Sequence, residues 1–191
     1  MNEVKEYFEK AALNWQNKDD ISLIKKLLCD AGLKKGCKVL DVGCGKGIIT
    51  PYIYEITGVK VKAIDISENM IKGAKLLHPQ NDQYAFECYD YYQFQDNNKY
   101  DFIIFYNAYP HFLDQKALSD KANSLLSENG TLVIAHGMSR SALFKHHQDL
   151  NPLVSRTLEA PNKEKDAFLE HFKLVKSIDN DKCYLMVLKK I

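Results

Sequence analysis

No sign of charge dominates this sequence: 26 lysine and arginine residues stand against 25 aspartate and glutamate, a formal charge of +1, and no long run of either sign stands out. A large nucleic-acid footprint, which shows as a basic stripe, is therefore not expected. Cysteines are few and scattered. Cys29, Cys37, Cys44, Cys88 and Cys183 are odd in number and lack the CxxC spacing of a zinc ribbon or redox dithiol, so a reducing cytoplasm is the expected setting. No apolar run approaches the ~20 residues of a membrane span, and the opening MNEVKEYFEK is charged and amphipathic rather than basic and then apolar. A soluble protein with no membrane partner is expected. Internal repeats and low-complexity segments are also missing. What remains is a 191-residue chain that fits one domain, residues 1–191, large enough to bury roughly 70% of its unfolded surface without a disulfide or metal staple.

Within that chain the apolar spacing changes character once. From Val4 through Phe8, Ala12 and Trp15, and from Ile21 through Ile24, Leu27 and Leu28, it follows a helical period and predicts two N-terminal helices within residues 1–32. After Gly32 and Gly36, short runs rich in branched residues alternate with helical stretches, a sheet core over 37–191. The runs are Lys38 to Val42, Val59 to Ile64, Tyr84 to Cys88, Phe102 to Tyr106 and Thr131 to Ala135. Helices are predicted between them at about Gly47 to Ile56, Ser67 to Leu77 and Gln115 to Leu126, with Ser67 as a cap and Asn129-Gly130 as a turn. Strand, helix, strand in series gives an α/β fold with right-handed crossovers, a mostly parallel sheet and helices on both faces. The tail breaks this rhythm: Phe172 to Ile178 and Lys182 to Lys189 flank Asp179-Asn180-Asp181, a hairpin with one antiparallel strand.

The stretch VLDVGCGKG, Val39 to Gly47, places Gly43, Gly45 and Gly47 directly after the first strand. In an open parallel sheet, ligands sit beyond the carboxyl ends of the strands, where this loop lies. Glycines there let the backbone fold tightly and bring it close to a ligand. A second acid, Asp65, ends the next strand at a spacing suited to a ribose acceptor. The spacing of the glycines is not the GxGxxG of a dinucleotide site, and Asp41 enters the loop. A carboxylate there would repel a pyrophosphate, by about 4 kcal/mol at ~4 Å and an effective dielectric near 20. A ligand carrying an ammonium would be attracted.

At these residues the sequence resembles the class I S-adenosylmethionine-dependent methyltransferases of small-molecule type, whose first motif reads acid-x-Gly-x-Gly-x-Gly. The resemblance covers most of the chain and implies a Rossmann-like, doubly wound, seven-stranded sheet. It implies that the loop Asp41, Gly43, Cys44, Gly45 and Gly47 holds the amino-acid end of S-adenosyl-L-methionine and that Asp65 binds both ribose hydroxyls. AIDISENMI resembles the second motif, which puts Ile66 and Met70 beside the adenine; FECYDYYQF resembles the third, with Asp90 accepting from the adenine amino group and Tyr91 giving a backbone contact. YDFIIFYNAYPHF resembles the fourth-strand segment, so Tyr106 and Asn107 should face the methionine portion. The N-terminal YFEKAALNW resembles the lid of small-molecule members, which sets Tyr7, Phe8 and Trp15 over the site; an amphipathic helix docked by its aromatics is the alternative. NAYP, Asn107 to Pro110, departs from the Asn/Asp-Pro-Pro-aromatic motif that holds a planar amino nitrogen, which disfavours nucleobases and glutamine amides as acceptors.

Methyl transfer from a sulfonium is an in-line displacement: the protein aligns the partners and excludes water, and a general base serves a hydroxyl or protonated amine. His111, after the fourth strand, and His136, after the fifth, are the candidates. Arg140 could pair with a carboxylate or phosphate of the substrate. His136, Arg140, His146 and His147 crowd one stretch, but Ser139 reads as a helix cap and adjacent His146 and His147 face different sides, so a surface helix is the alternative and no metal is expected. The expected function is methyl transfer to a small-molecule acceptor. A non-catalytic cofactor-binding sensor or partner subunit, an RNA methyltransferase and a nicotinamide dehydrogenase are the competing readings.

Overall fold

The computed structural model describes residues 2–16, 19–80 and 82–191. Seven strands form one sheet in the order β3-β2-β1-β4-β5-β7-β6. They are β1 (Val39–Val42), β2 (Val61–Asp65), β3 (Tyr84–Cys88), β4 (Tyr100–Tyr106), β5 (Leu126–His136), β6 (Phe172–Asp179) and β7 (Tyr184–Lys190). β1 to β5 are mutually parallel, and β7 inserts antiparallel between β5 and β6. The chain winds outward from β1 to β3, then returns to lay β4 on the other side of β1. The order therefore reverses between β1 and β4, the place where such sheets open a crevice.

The central strands are apolar throughout because both of their faces are covered, and alternate residues feed two cores. Leu40, Val42, Ile103, Phe105, Leu132 and Ile134 pack with Leu118, Ala122 and Leu125 of α5 (Gln115–Leu125) on one side. Val39, Ile104, Val133 and Ala135 pack on the other with Ile24, Leu27 and Leu28 of α2 (Ile21–Asp30) and with Ile53 of α3 (Thr50–Thr57). Each such aliphatic side chain contributes about 1.5–3 kcal/mol relative to exposure. α2 is thus part of the core. Of the N-terminal region only α1 (Glu3–Ala11), which buries no residue fully, and the turn after it lie over the crevice.

Caps stand where the sequence places them. Ser67 Oγ accepts from Met70 N at the start of α4 (Glu68–Leu77), Asp114 from Ala117 N before α5, and Ser139 from Ala142 N before α6 (Arg140–His147). Three boundaries differ from expectation. α3 begins at Thr50 rather than Gly47, because Gly47 adopts φ +80° and cannot continue a helix. α1 ends at Ala11, and Trp15 follows the turn of residues 12–14. Asn129-Gly130 does not separate α5 from a strand but lies inside β5; the β4–β5 register shifts between Tyr100↔Leu126 and Phe102↔Thr131, so the turn residues are taken up as an irregularity in a longer strand. The C-terminal hairpin closes on Asn180, whose Oδ1 accepts from Lys182 N and Cys183 N.

Candidate active site

Beyond the carboxyl ends of β1, β2 and β4, a cavity open to solvent lies beneath α1, its empty space of about 930 Å³ including part of that solvent. Its floor is the glycine loop. Gly43 N and Cys44 N both donate to Ile64 O, at 2.9 and 3.1 Å, which ties the loop to the end of β2. The glycines answer different demands. At Gly43 (φ +66°) a Cβ would stand 2.7 Å from Ala108 Cβ, a steric exclusion by the protein itself. At Gly45 (φ +55°) a Cβ would meet nothing within 4 Å. Gly45 therefore borders open space, as a backbone that receives a ligand must.

Two carboxylates stand in this floor. Asp41, ending deep in β1, accepts from Thr50 Oγ1 at 2.7 Å; burial pushes its carboxyl up to about 7, the Thr50 bond opposes this, and the nearby Asp65 adds to it. Asp65 accepts from Gly45 N through Oδ2 and from Ser67 N through Oδ1, both at 2.9 Å, yet burial still raises it to about 6. Two like charges buried next to each other are stabilised by a cation or by further donors. The unliganded floor thus favours a positively charged, hydroxyl-bearing visitor over an anion.

The far wall is made by the segments after β3 and β4. Asp90 Oδ1 accepts from Tyr92 N at 3.0 Å. Tyr91 turns its ring into the core, against Phe105 and Phe112, with its hydroxyl on Leu118 O, so its backbone is what remains for the cavity. Asn107 adopts φ 52°, a conformation that asparagine tolerates; its Oδ1 accepts from Gly137 N at 3.0 Å and its Nδ2 reaches Asp19. Tyr106, beside it, keeps its hydroxyl protonated because burial and then Asp19 raise it.

Of the residues singled out from the sequence, Asp41, Gly43, Cys44, Gly45, Asp65, Ile66, Met70, Asp90, Tyr91, Tyr106, Asn107 and His111 all line this cavity, as do Phe8 and Trp15 of the N-terminal segment. Three do not. Gly47 faces away, a Cβ there meeting His78 and Phe86 at 2.8 and 2.9 Å. His136 is completely buried below the wall, 6.0 Å from the Tyr184 ring, with neither ring nitrogen partnered among the described residues. Burial drives its pKa down to about 3, aided by His111, His147 and Arg156. Arg140 is spent on Asp179 of β6 at 2.8 Å. The expectation that these two handle substrate fails on geometry: one imidazole is sealed in and the guanidinium points to the hairpin.

His111 is different. Its Nδ1 lies 2.9 Å from Val154 O, and a carbonyl only accepts, so Nδ1 carries the proton and Nε2 is the basic atom. Burial lowers its pKa to about 4, the Val154 bond opposing and the neighbouring His147 and His146 assisting, so the ring is neutral at physiological pH. Phe8 of α1 packs edge-on against it at 4.8 Å.

The roof meets α4 through an acid, with the exposed Lys5–Glu68 pair at 3.5 Å beside it. Glu9 of α1 accepts from Glu68 N at 2.7 Å and Asn69 N at 3.1 Å, capping α4 from outside, and Asn69 Nδ2 returns a bond to Glu9 O. Against the burial that would raise it, these donors hold its carboxyl below the ordinary range. Sequence reading missed this latch, since Glu9 looks like any exposed helical acid. It also missed the wall residues Tyr89, Tyr92, Ala108 and Phe112, although the aromatic crowding of CYDYYQF and YPHF was a signal.

The reversed strand order, the glycine loop on β1 and an acid ending β2 define a nucleoside-binding α/β domain of methyltransferase architecture. The family profile described as "Methyltransferase domain" matches residues 33–183, and the chain belongs to this family, among the class I S-adenosylmethionine-dependent methyltransferases. It is 34% identical over 125 residues to a phosphoethanolamine N-methyltransferase of Plasmodium falciparum, covering 63% of this chain and 47% of that protein. It is 25% identical over 114 residues to a ubiquinone biosynthesis O-methyltransferase of Bradyrhizobium diazoefficiens, covering 59% and 43%. The chain thus spans less than half the length of these relatives. In fold it matches a methyltransferase solved in complex with the Haloferax volcanii Trm112 activator, with TM-score 0.83, 15% identity and coverage of 98% and 97%. It also matches magnesium protoporphyrin IX methyltransferase of Synechocystis, solved with bound S-adenosylhomocysteine, with TM-score 0.69, 18% identity and 98% of each chain. Among the described residues no helix is long and apolar enough to cross a membrane.

Proposed function

We propose that this chain transfers the methyl group of S-adenosylmethionine to a small-molecule acceptor bound under α1, with the cofactor along the floor. The observation that carries this is the pair of buried, pKa-raised carboxylates, Asp41 and Asp65, flanking a glycine whose missing side chain faces empty space. In this reading Asp65 takes the ribose hydroxyls, and Asp41, Gly43, Cys44 and Gly45 surround the amino-acid end. Ile66, Met70, Asp90 and the backbone of Tyr91 surround the adenine, with Tyr106 and Asn107 toward the methionine. His111 Nε2 takes the proton of a hydroxyl or amine acceptor as the methyl transfers; the imidazole is neutral with its other nitrogen fixed on Val154 O, and burial, which lowers it to about 4, makes it a weak base suited to a proton that methylation itself acidifies. The even charge balance and a cavity roofed by α1 suit a metabolite rather than a nucleic acid, and five free cysteines suit a reducing cytoplasm.

The test is calorimetric titration with S-adenosylhomocysteine, followed by its formation from S-adenosylmethionine across a panel of small hydroxyl and amine acceptors. Binding with turnover on any member supports the reading. Absence of binding overturns it, and binding without turnover on every acceptor favours a cofactor sensor.

A further inference from the structure

We propose that Arg156 and Glu164 are positioning residues for His111, holding its ring in the tautomer that leaves Nε2 basic; the proposal deepens the reading of His111 above and rests on it for the consequence in turnover. Glu164, the last residue of α7 (Pro161–Glu164), is buried, and its carboxylate accepts four hydrogen bonds. Arg156 forks onto it, Nη1 to Oε1 at 2.8 Å and Nη2 to Oε2 at 2.9 Å. The Tyr109 hydroxyl donates to Oε2 at 2.8 Å and Glu159 N to Oε1 at 2.7 Å. Four donors fill the lone-pair sites of a carboxylate, so Glu164 has nothing left to offer a ligand. Neither it nor Arg156 lines the cavity.

A buried ion pair seldom repays its desolvation, so its use lies in the geometry it fixes. Here the donors come from two segments. Tyr109 opens the 3₁₀ turn Tyr109–His111, while Arg156 belongs to the strap between α6 and α7, residues 148–160, which forms neither helix nor strand. The guanidinium also lies 4.5 Å from the centre of the Tyr109 ring, and Arg156 N donates to Pro110 O at 3.0 Å. Ser155 Oγ on His147 Nδ1, at 2.9 Å, adds an uncharged anchor. His111 stands just after Pro110, and Val154 two places before Arg156, so the 2.9 Å bond between His111 Nδ1 and Val154 O is made inside this tie. An irregular segment does not hold a carbonyl in place by itself; the clasp does. Without it Nδ1 loses a fixed acceptor, the proton spreads over both ring nitrogens, and molecules with Nε2 protonated cannot act as the base.

Imidazole 15N spectra of the unliganded protein read the tautomer directly. The chain has six histidines, and His111 is assigned by its loss in His111→Ala. Wild type is expected to show His111 protonated on Nδ1 alone. Glu164→Gln keeps the shape but sets an amide N–H against the donors, and both tautomers are expected; Tyr109→Phe, which removes one donor of the four, should show the same change more weakly and is the variant to read if Glu164→Gln does not fold. With an acceptor that is turned over, kcat of Glu164→Gln should fall about 10-fold while KM and S-adenosylhomocysteine affinity stay within about 2-fold, and Arg156→Lys, which keeps the charge but not the fork, should lose less. In a His111→Ala background the same Glu164→Gln change should alter kcat less than about 2-fold, because nothing is left to position. A His111 tautomer unmoved in the folded variants, or an equal loss of kcat with and without His111, would overturn the positioning role. If His111→Ala alone turns over at the wild-type rate, the base reading falls while the tautomer still decides the clasp, so the two failures are told apart.

Discussion

The floor and the roof of the cavity are built on opposite terms. The floor, Asp41 to Gly47 with Asp65, is anchored in β1 and β2, two strands buried between helices and tied together by Gly43 and Cys44 on Ile64 O. The roof, α1, buries no residue fully and holds to α4 chiefly through the carboxylate of Glu9. A site that must recognise one cofactor and also release its product gains from this division: what recognises is part of the fold, and what covers can open at the cost of a few hydrogen bonds.

The contrast can be broken most severely from the wall between them. Replacing His111 by Ala removes the proposed base, and transfer to a hydroxyl or protonated amine acceptor is expected to slow at least ~10²-fold while S-adenosylhomocysteine affinity stays within about 2-fold. Steady-state kinetics with calorimetry separates the two. In the floor, Asp65→Ala is expected to cost about 1.5–3 kcal/mol of cofactor affinity, roughly 10- to 150-fold, because charged hydrogen bonds are lost. In the roof, Glu9→Gln keeps the shape but weakens the charged cap of α4. The off-rate of S-adenosylhomocysteine should rise several-fold in stopped flow while the melting of the sheet barely changes.

Acidity sharpens the same division. Asp41 and Asp65 have folded pKa values raised to about 7 and about 6 above an ordinary 3.8. Their contribution to the stability of the unliganded protein is fully present below about pH 4 and is lost as pH rises through 6 and 7. A cationic ligand binds the ionised floor, so its affinity should increase over the same interval, with protons released on binding near pH 6. Melting temperature against pH, with and without S-adenosylmethionine, should show the ligand-induced gain growing from pH 5 to 8. A gain independent of pH would mean that neither acid meets the cation.

The smallest effect separates the two histidines that follow adjacent strands. His136→Leu replaces a sealed imidazole whose nitrogens have no partners among the described residues; stability is expected to rise by about 1 kcal/mol with turnover unchanged. A marked loss of turnover would return His136 to the chemistry.

These histidines also show how far the sequence could be read. The strand runs, the hairpin around Asn180 and the caps at Ser67 and Ser139 were legible because each is local: periodicity, branching and cap chemistry act over a few residues, whereas the reversal of strand order after β3 followed only from the family resemblance. The floor was legible for the same reason, its glycines and acids lying within two short segments. His111 and His136 look equivalent in sequence, each just after a strand, and only the packing of Val154 and Tyr184 beside them, more than 40 residues away in the chain, makes one a wall residue and the other core. Arg140 was misread likewise, since its partner Asp179 lies on β6. The Glu9 latch, joining residues about 60 apart, left no local trace.

The most direct measurement is a crystal structure grown with S-adenosylhomocysteine. The ribose hydroxyls should lie on Asp65, the amino-acid end on the loop from Gly43 to Gly45, and the sulfur should face His111 beneath α1. A cavity left empty at saturating ligand, or a floor that instead accepts the diphosphate of a dinucleotide, would contradict the account.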